Sequence, residues 1–323
     1  MMQKTQLPAF LESEITPLPA KDCRFQIIPV PYEASVSYGG GTAKAPQAIL
    51  EASCQLEVWT GLSAPAEQGI FTWPFVDCTG GAKGVIDRIE TAVYQAIYAR
   101  ADNVADDKPK NIAGAVCRGA LSIPAILGGE HSVTFGSLKA MQKAYGHFGV
   151  IHFDAHADLR DTYHDSKYSH ASVMHRAVAD LGLDLFQVGV RSLCPEDIKV
   201  REKYEVKHCD ARMLQCPRQW PAFGETTDPS CLSLPVPFVP EGFPSKVFLS
   251  FDLDAFDGSI MPATGTPEPG GLFWWDAINL LRICLHGREL IGFDVVELAP
   301  ITGLHAPDYL AARLVYEIMG MVH

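Results

Sequence analysis

A chain of 323 residues, 47% hydrophobic and 20% charged, can bury a sizeable core of its own, which excludes a disordered, fibrous or disulfide-stapled protein. Its formal net charge of −12, with no cluster of Lys or Arg, argues against a nucleic-acid footprint or an anionic-membrane surface and is compatible with a small cationic substrate. The nine cysteines are odd in number, scattered and never spaced C-x-x-C, and they read as reduced thiols of a cytoplasmic protein with no leader and no membrane-length apolar run.

After an N-terminal extension over 1–24, short β-rich runs alternate with longer amphipathic stretches. In chain order the pattern predicts a strand at 25–32 (FQIIPVPY), a helix at 45–59, a strand at 70–78, a helix at 84–103 and a strand at 123–129 (IPAILGG). A helix at 132–145, a strand at 148–156 (FGVIHFDAH), a helix at 170–182 and a strand at 185–192 (LFQVGVRS) follow. Residues 208–245, rich in Pro and Cys, read as a long surface excursion within a single domain spanning 1–323, because strand patterns continue on both sides. Beyond it come a strand at 247–256 (VFLSFDLDAF), a helix at 274–287, a strand at 290–298 (LIGFDVVEL) and a terminal helix at 311–323. Nearly continuous Val, Ile, Leu and Phe in strands separated by helices imply a mainly parallel sheet covered on both faces.

The chemistry gathers at the carboxyl ends of four of these strands, where open parallel sheets bind their ligands. Glu130 and His131 end one, Asp154, His156 and Asp158 (DAHAD) the next, Asp252 and Asp254 a third with Asp257 just beyond, and Asp294 and Glu297 the fourth. If the extended backbone continues through DAHAD, alternation turns Asp154, His156 and Asp158 to one face. His152 is assigned to the opposite face and read as a satisfied sheet residue. Five or six carboxylates in one cleft repel one another unless some are protonated or cations neutralise them. Carboxylates mixed with imidazoles suit two Mn²⁺ or a similar first-row ion better than Ca²⁺ or structural Zn²⁺, and a hydroxide held between two such ions is a nucleophile at neutral pH. Taken singly, Asp161, Asp257 and Asp294 read equally well as turn or cap residues.

These residues stand in motifs that resemble the ureohydrolases, the arginases and agmatinases: PYEASVSYGGGTAKAPQAILEAS (31–53), GGEHSVT (128–134), DAHADLRDTYHDSKYSHASVMHR (154–176), VGVRS (188–192), SFDLDAFDGSIMPATGTPEPGGL (250–272) and GFDVVELAP (292–300). The resemblance implies a three-layer α/β/α sandwich on a parallel eight-stranded sheet, assembled as a trimer or hexamer. It implies one Mn²⁺ held by His131, Asp154, Asp158 and Asp252 and a second by Asp154, His156, Asp252 and Asp254, with Asp154 and Asp252 as bridges. Asp158 would also orient the attacking hydroxide, Glu297 would pair with the substrate guanidinium, His170 would pass a proton to the leaving amine, and Thr266 would lie near the substrate. The arginase set for α-amino and α-carboxylate groups is missing, since Arg160 and Cys194 stand in its place, so the expected substrate is agmatine or its aminopropyl derivative. Asp161 or Asp165 is then expected to meet the distal ammonium, with Arg160 turned away. Guanidinobutyrate, arginine and a formimino substrate remain as alternatives, as do a non-catalytic metal-binding homologue and a deacetylase-like hydrolase.

Overall fold

The computed structural model describes residues 7–101, 121–214 and 238–322. Eight parallel strands form one sheet: β1 (Phe25–Val30), β2 (Ile70–Thr72), β3 (Ile123–Gly128), β4 (Gly149–Phe153), β5 (Asp184–Val188), β6 (Lys207–Cys209), β7 (Lys246–Asp252) and β8 (Glu289–Val296), in the spatial order β2-β1-β3-β8-β7-β4-β5-β6. Successive residues of one strand feed opposite layers, as the period of two requires. Phe25, Ile27, Leu127, Ile151, Phe153 and Leu249 join one apolar cluster, whereas Ile28, Val30, Ile126, Val150 and Phe248 join the other.

Helices cover both faces. α1 (Ala45–Ser53), α7 (Trp274–Leu285) and α8 (Ala306–Gly320) supply Ile49, Ile278, Leu281 and Leu314 to the first layer. α2 (Ala82–Ile97), α3 (Thr134–Tyr145) and the short α4 (Val173–His175), which runs on into a π-turn over Arg176–Asp180, supply Ile89, Leu138, Met141 and Met174 to the second. The architecture is therefore the three-layer α/β/α sandwich expected. At its centre Phe153 of β4 stacks on Phe251 of β7, its register partner, with ring centroids 5.2 Å apart.

Strand ends depart from the sequence reading for local reasons. The run at 70–78 ends at Thr72, just before Pro74 would interrupt the ladder. β6 and α5 (Pro195–Lys203) escape the reading altogether, the first because three residues, KHC, carry no pattern, the second because PEDIKVREK is polar almost throughout. In the expected excursion, residues 215–237 lie outside the described residues, and α6 (Ala211–Leu214) precedes them. Within residues 7–24 of the N-terminal extension, Phe10 and Leu11 are buried, and the Leu11 N–H donates to Ser53 Oγ on α1.

Candidate metal centre and cleft

Two short turns end the strands that carry the acidic motifs. Asp154 follows β4 directly, and its Oδ1 accepts the N–H of His156 at 2.5 Å; Asp252 closes β7, and its Oδ1 accepts the N–H of Asp254 at 2.8 Å. Each aspartate thus folds the backbone around its own side chain, as Asx turns do. The expected extension through DAHAD is therefore corrected, because the strand stops at Phe153. The three side chains converge through a turn, and Asp158 completes it in the left-handed region at φ 53° while its carbonyl accepts the Met174 and His175 N–H groups.

The result is a buried ring around one nitrogen. His131 Nδ1 lies 3.3 Å from Asp154 Oδ2, 3.1 Å from Asp158 Oδ2 and 3.3 Å from Asp252 Oδ2, and it makes no hydrogen bond of good geometry among the described residues. Spacings near 3 Å match the edges of a coordination shell whose bonds are about 2.1 Å long. A second group forms alongside, where His156 Nδ1 is 2.9 Å from Asp254 Oδ2 and 3.6 Å from Asp154 Oδ1. All six expected ligands come together, and Asp154 turns one oxygen to each group.

The electrostatics describe what the cluster does without a cation. Burial opposes a charge on His131, yet Asp154, Asp158 and Asp252 outweigh it and hold the imidazolium well above the ordinary histidine range. Burial likewise opposes a charge on His156, but Asp254 and Asp154 push it up to about 12. Burial, reinforced by neighbouring carboxylates, raises Asp252 and Asp254. For Asp154, burial works upward and is outweighed by His152, His131 and His156, so its value falls well below the usual range. Protons thus occupy the place of positive charge in a site whose donor set fits divalent ions.

Around the ring, each side chain has a support. His131 Nε2 meets Ser250 Oγ at 2.9 Å, and Ser250 Oγ donates to Asp294 Oδ1 at 2.8 Å, whose Oδ2 accepts from Thr134 Oγ1 at 2.8 Å. This turns Nδ1 to the carboxylates, where loss of its proton would free a lone pair for a metal, the usual arrangement behind a metal-binding imidazole. Asp294 is therefore no turn or cap residue but a buried acceptor inside β8, whereas Asp257 does serve a turn, accepting the Ser259, Gly270 and Gly271 N–H groups. The assignment of His152 is also corrected. At i and i+4 the two histidines would share a face of an extended strand rather than lie on opposite ones, and in the structure the His152 Nε2 lies 2.8 Å from Asp154 Oδ2.

Glu297 sits at φ 66°, a conformation that costs a bulky residue about 1–3 kcal/mol. The strain is held by its N–H to Gly129 O and by the His131 N–H to its Oε1 at 2.6 Å. Burial lifts its carboxyl well above the ordinary value, although that His131 N–H works the other way. Gly129 has to be glycine, since a Cβ there would stand 2.0 Å from Tyr32 O. The adjacent Glu130 turns away from the ring and accepts the Ala34 and Ser35 N–H groups and the Ser35 and Ser132 hydroxyls. With its only proton given to Glu130, Ser35 Oγ can only accept from His170, whose N–H and Nδ1 lie 3.0 and 3.1 Å away. Nε2 of His170 is then the nitrogen left for other partners.

A cleft of about 270 Å³ opens over the ring and is lined by His156, Asp158, Asp252, Asp254, Glu297, His170 and Thr266. Two expectations fail here. Asp161 is not part of the lining; its side chain is 73% exposed and is held by Arg176. Arg160 does not turn away but lines the cleft, its guanidinium carbon 5.3 Å from the centre of the Tyr163 ring. The sequence reading also passed over Asp197, at the start of α5. It is 5% exposed and lines the cleft; its Oδ2 accepts the Cys194 N–H, while its Oδ1 finds no hydrogen-bond partner among the described residues. An acid in the first turn of a helix gives no sign in the sequence of facing a cavity.

Residues 23–320 match the Arginase family. The chain belongs to that family. It is 35% identical over 317 residues to the N(1)-aminopropylagmatine ureohydrolase of Synechocystis sp., covering 96% of this chain and 92% of the relative. It is 29% identical to the agmatinase of Pyrococcus horikoshii, with 96% of each chain covered. Among solved structures, the agmatine ureohydrolase of Thermoplasma volcanium superposes with a TM-score of 0.77 at 23% identity, covering 98% of this chain and 95% of that one, a likeness of fold. Arginase-family membership makes the protein a ureohydrolase, a hydrolase of amidine carbon–nitrogen bonds, and its clustered histidines and aspartates could hold metal. Among the described residues, no helix is long and apolar enough to cross a membrane.

Proposed function

We propose that the chain hydrolyses a linear guanidino compound with a distal amine, agmatine or its aminopropyl derivative, to urea and an amine, using two Mn²⁺ held by the six ligands named above. The observation that carries the substrate is Asp197, a buried acid of the cleft wall whose Oδ1 has no hydrogen-bond partner among the described residues. A buried carboxylate oxygen without a donor is costly, and a substrate ammonium would satisfy it. Relatives named for aminopropylagmatine and agmatine support the same reading.

When bound, the two ions neutralise the carboxylates and supply Lewis acidity and a water activated for attack at neutral pH. Glu297 pairs with the guanidinium through charge-assisted hydrogen bonds and fixes its planar carbon in the cleft. Asp158 accepts a hydrogen bond from the attacking water and aims it at that carbon. Addition gives a tetrahedral species; its carbon–nitrogen bond to the alkyl chain breaks, and His170 passes a proton from Nε2 to the departing amine.

Arg160 supports a second reading, since its guanidinium in the cleft wall would pair with the carboxylate of guanidinobutyrate. Urea release by the Mn²⁺-loaded protein decides between them. The expected specificity constants favour agmatine and aminopropylagmatine over guanidinobutyrate and arginine by at least about tenfold, about 1.4 kcal/mol, and Asp197→Asn narrows that gap. A preference for guanidinobutyrate that disappears in Arg160→Ala overturns the assignment.

A further inference from the structure

Behind the bridging carboxylate runs a buried chain of hydrogen bonds whose direction is decided at every link. It begins at Arg201 on α5, 5% exposed, whose Nη1 and Nη2 donate to Asp210 at 3.0 and 2.9 Å. The remaining guanidinium nitrogen, Nε, donates to Gln187 Oε1 on β5 at 3.0 Å. Gln187 Nε2 in turn lies 2.8 Å from Ala157 O and 3.0 Å from His152 Nδ1, and His152 Nε2 lies 2.8 Å from Asp154 Oδ2.

A guanidinium only donates and a backbone carbonyl only accepts, so Arg201 and Ala157 separately demand the same orientation of the Gln187 amide. Its NH₂ therefore donates to His152 Nδ1. That nitrogen must accept, which leaves the imidazole proton on Nε2, pointed at Asp154. An imidazole with both nitrogens committed in this way has no lone pair for a cation, although His152 stands close enough to Asp154, Asp158 and His131 to be grouped with them as a ligand.

We infer that Gln187 and His152, locked by Arg201, are positioning residues that hold Asp154 in the rotation needed to bridge two cations, and that His152 is not itself a ligand. The companion contact supports this: Oδ1 of Asp154 is held by the His156 N–H and Oδ2 by His152, one donor to each oxygen. With both oxygens pinned, the carboxylate cannot swing to chelate one ion and abandon the other. This inference rests on the binuclear reading proposed above, but its first test does not.

In metal-free protein with ¹⁵N-labelled histidine, long-range ¹H–¹⁵N correlation spectra distinguish a ring protonated at Nε2 from one protonated at Nδ1. The expected result is an Nε2–H pattern for His152, assigned by its disappearance in His152→Gln; an Nδ1–H pattern overturns the relay whatever the metal content. The second test titrates Mn²⁺ and reads free ion by electron paramagnetic resonance. Gln187→Leu and His152→Leu are expected to keep two sites and bind about 10–100-fold more weakly, the usual effect of losing a hydrogen bond behind a ligand, while His152→Gln, which keeps an N–H donor, recovers most of the loss. Loss of one ion at saturation in either His152 variant would make His152 a ligand and overturn the inference, and so would unchanged affinity in both Gln187→Leu and His152→Leu. Wild-type protein binding a single ion would instead refute the binuclear reading and leave the tautomer result standing.

Discussion

Loading metal into this site should expel protons, and the structure sets the scale. His156 is pushed up to about 12 by Asp254 and Asp154 against the opposing effect of burial, and His131 is raised well above its ordinary value by three carboxylates. At pH 8 the proton on His156 lies about four units below its point of release, so removing it costs about 5 kcal/mol in the metal-free protein. Ligation needs both imidazoles unprotonated, so at least two protons leave per binuclear centre, and overall affinity should rise about 100-fold per pH unit. Titration calorimetry of metal-free protein with Mn²⁺ in two buffers of different ionisation enthalpy counts the protons directly. Release of fewer than one proton at pH 8 would refute the reasoning.

The same groups set a stability trend in the metal-free protein. The folded values of His131, His156, Asp252 and Asp254 are raised, so the stability they contribute is present below their unfolded values and lost as pH rises through the folded ones. Asp154 is lowered, and its contribution is lost only in acid. The melting temperature of metal-free protein is therefore expected to fall between pH 7 and 10, with metal-loaded protein changing less; scanning calorimetry of both forms checks it. Asp154→Ala or Asp252→Ala should remove a bridge and with it most of the bound metal and activity, as metal analysis after dialysis would show. His170→Ala should lower turnover by about 100-fold or more while metal content stays at the wild-type level; parallel loss of both would give His170 a structural role. Asp161→Asn should leave the specificity constant for agmatine within about twofold, because that carboxylate is committed to Arg176 outside the cleft, and a tenfold loss would put it back in the site.

Much of the layer plan was legible because burial on two faces leaves a strong mark: β3, β4, β7 and β8 read as nearly unbroken apolar runs, and their charged ends stand out against them. The six residues proposed as ligands stand out for the same reason. What stayed hidden depends on where a short polar side chain turns after the strand has ended. Asp197 and Arg160 both occupy loops or helix starts, where no period ties sequence position to direction, and so the cleft wall could not be read. Asp294 looked like a cap because its two partners, Ser250 and Thr134, lie 44 and 160 residues away in the chain. His152 is different: its even spacing from Asp154 and His156 already sets it on their side of an extended strand.

The place of β8 has a consequence for how the chain is made. β8 lies between β3 and β7, so these two strands never pair with each other, and the central gap waits for residues 289–296, which are made after the other seven strands. Until then the nascent chain can hold only two part-sheets, β2-β1-β3 and β7-β4-β5-β6, each with an unpaired apolar edge. Parallel pairings of such large sequence separation form slowly, and open edges of this kind invite association with other chains. His131 arrives with one part-sheet, and Asp154, Asp158, Asp252 and Asp254 with the other. The group of Asp154, His156 and Asp254 can therefore assemble within one part-sheet, whereas the ring around His131 closes only after the last strand has joined the two.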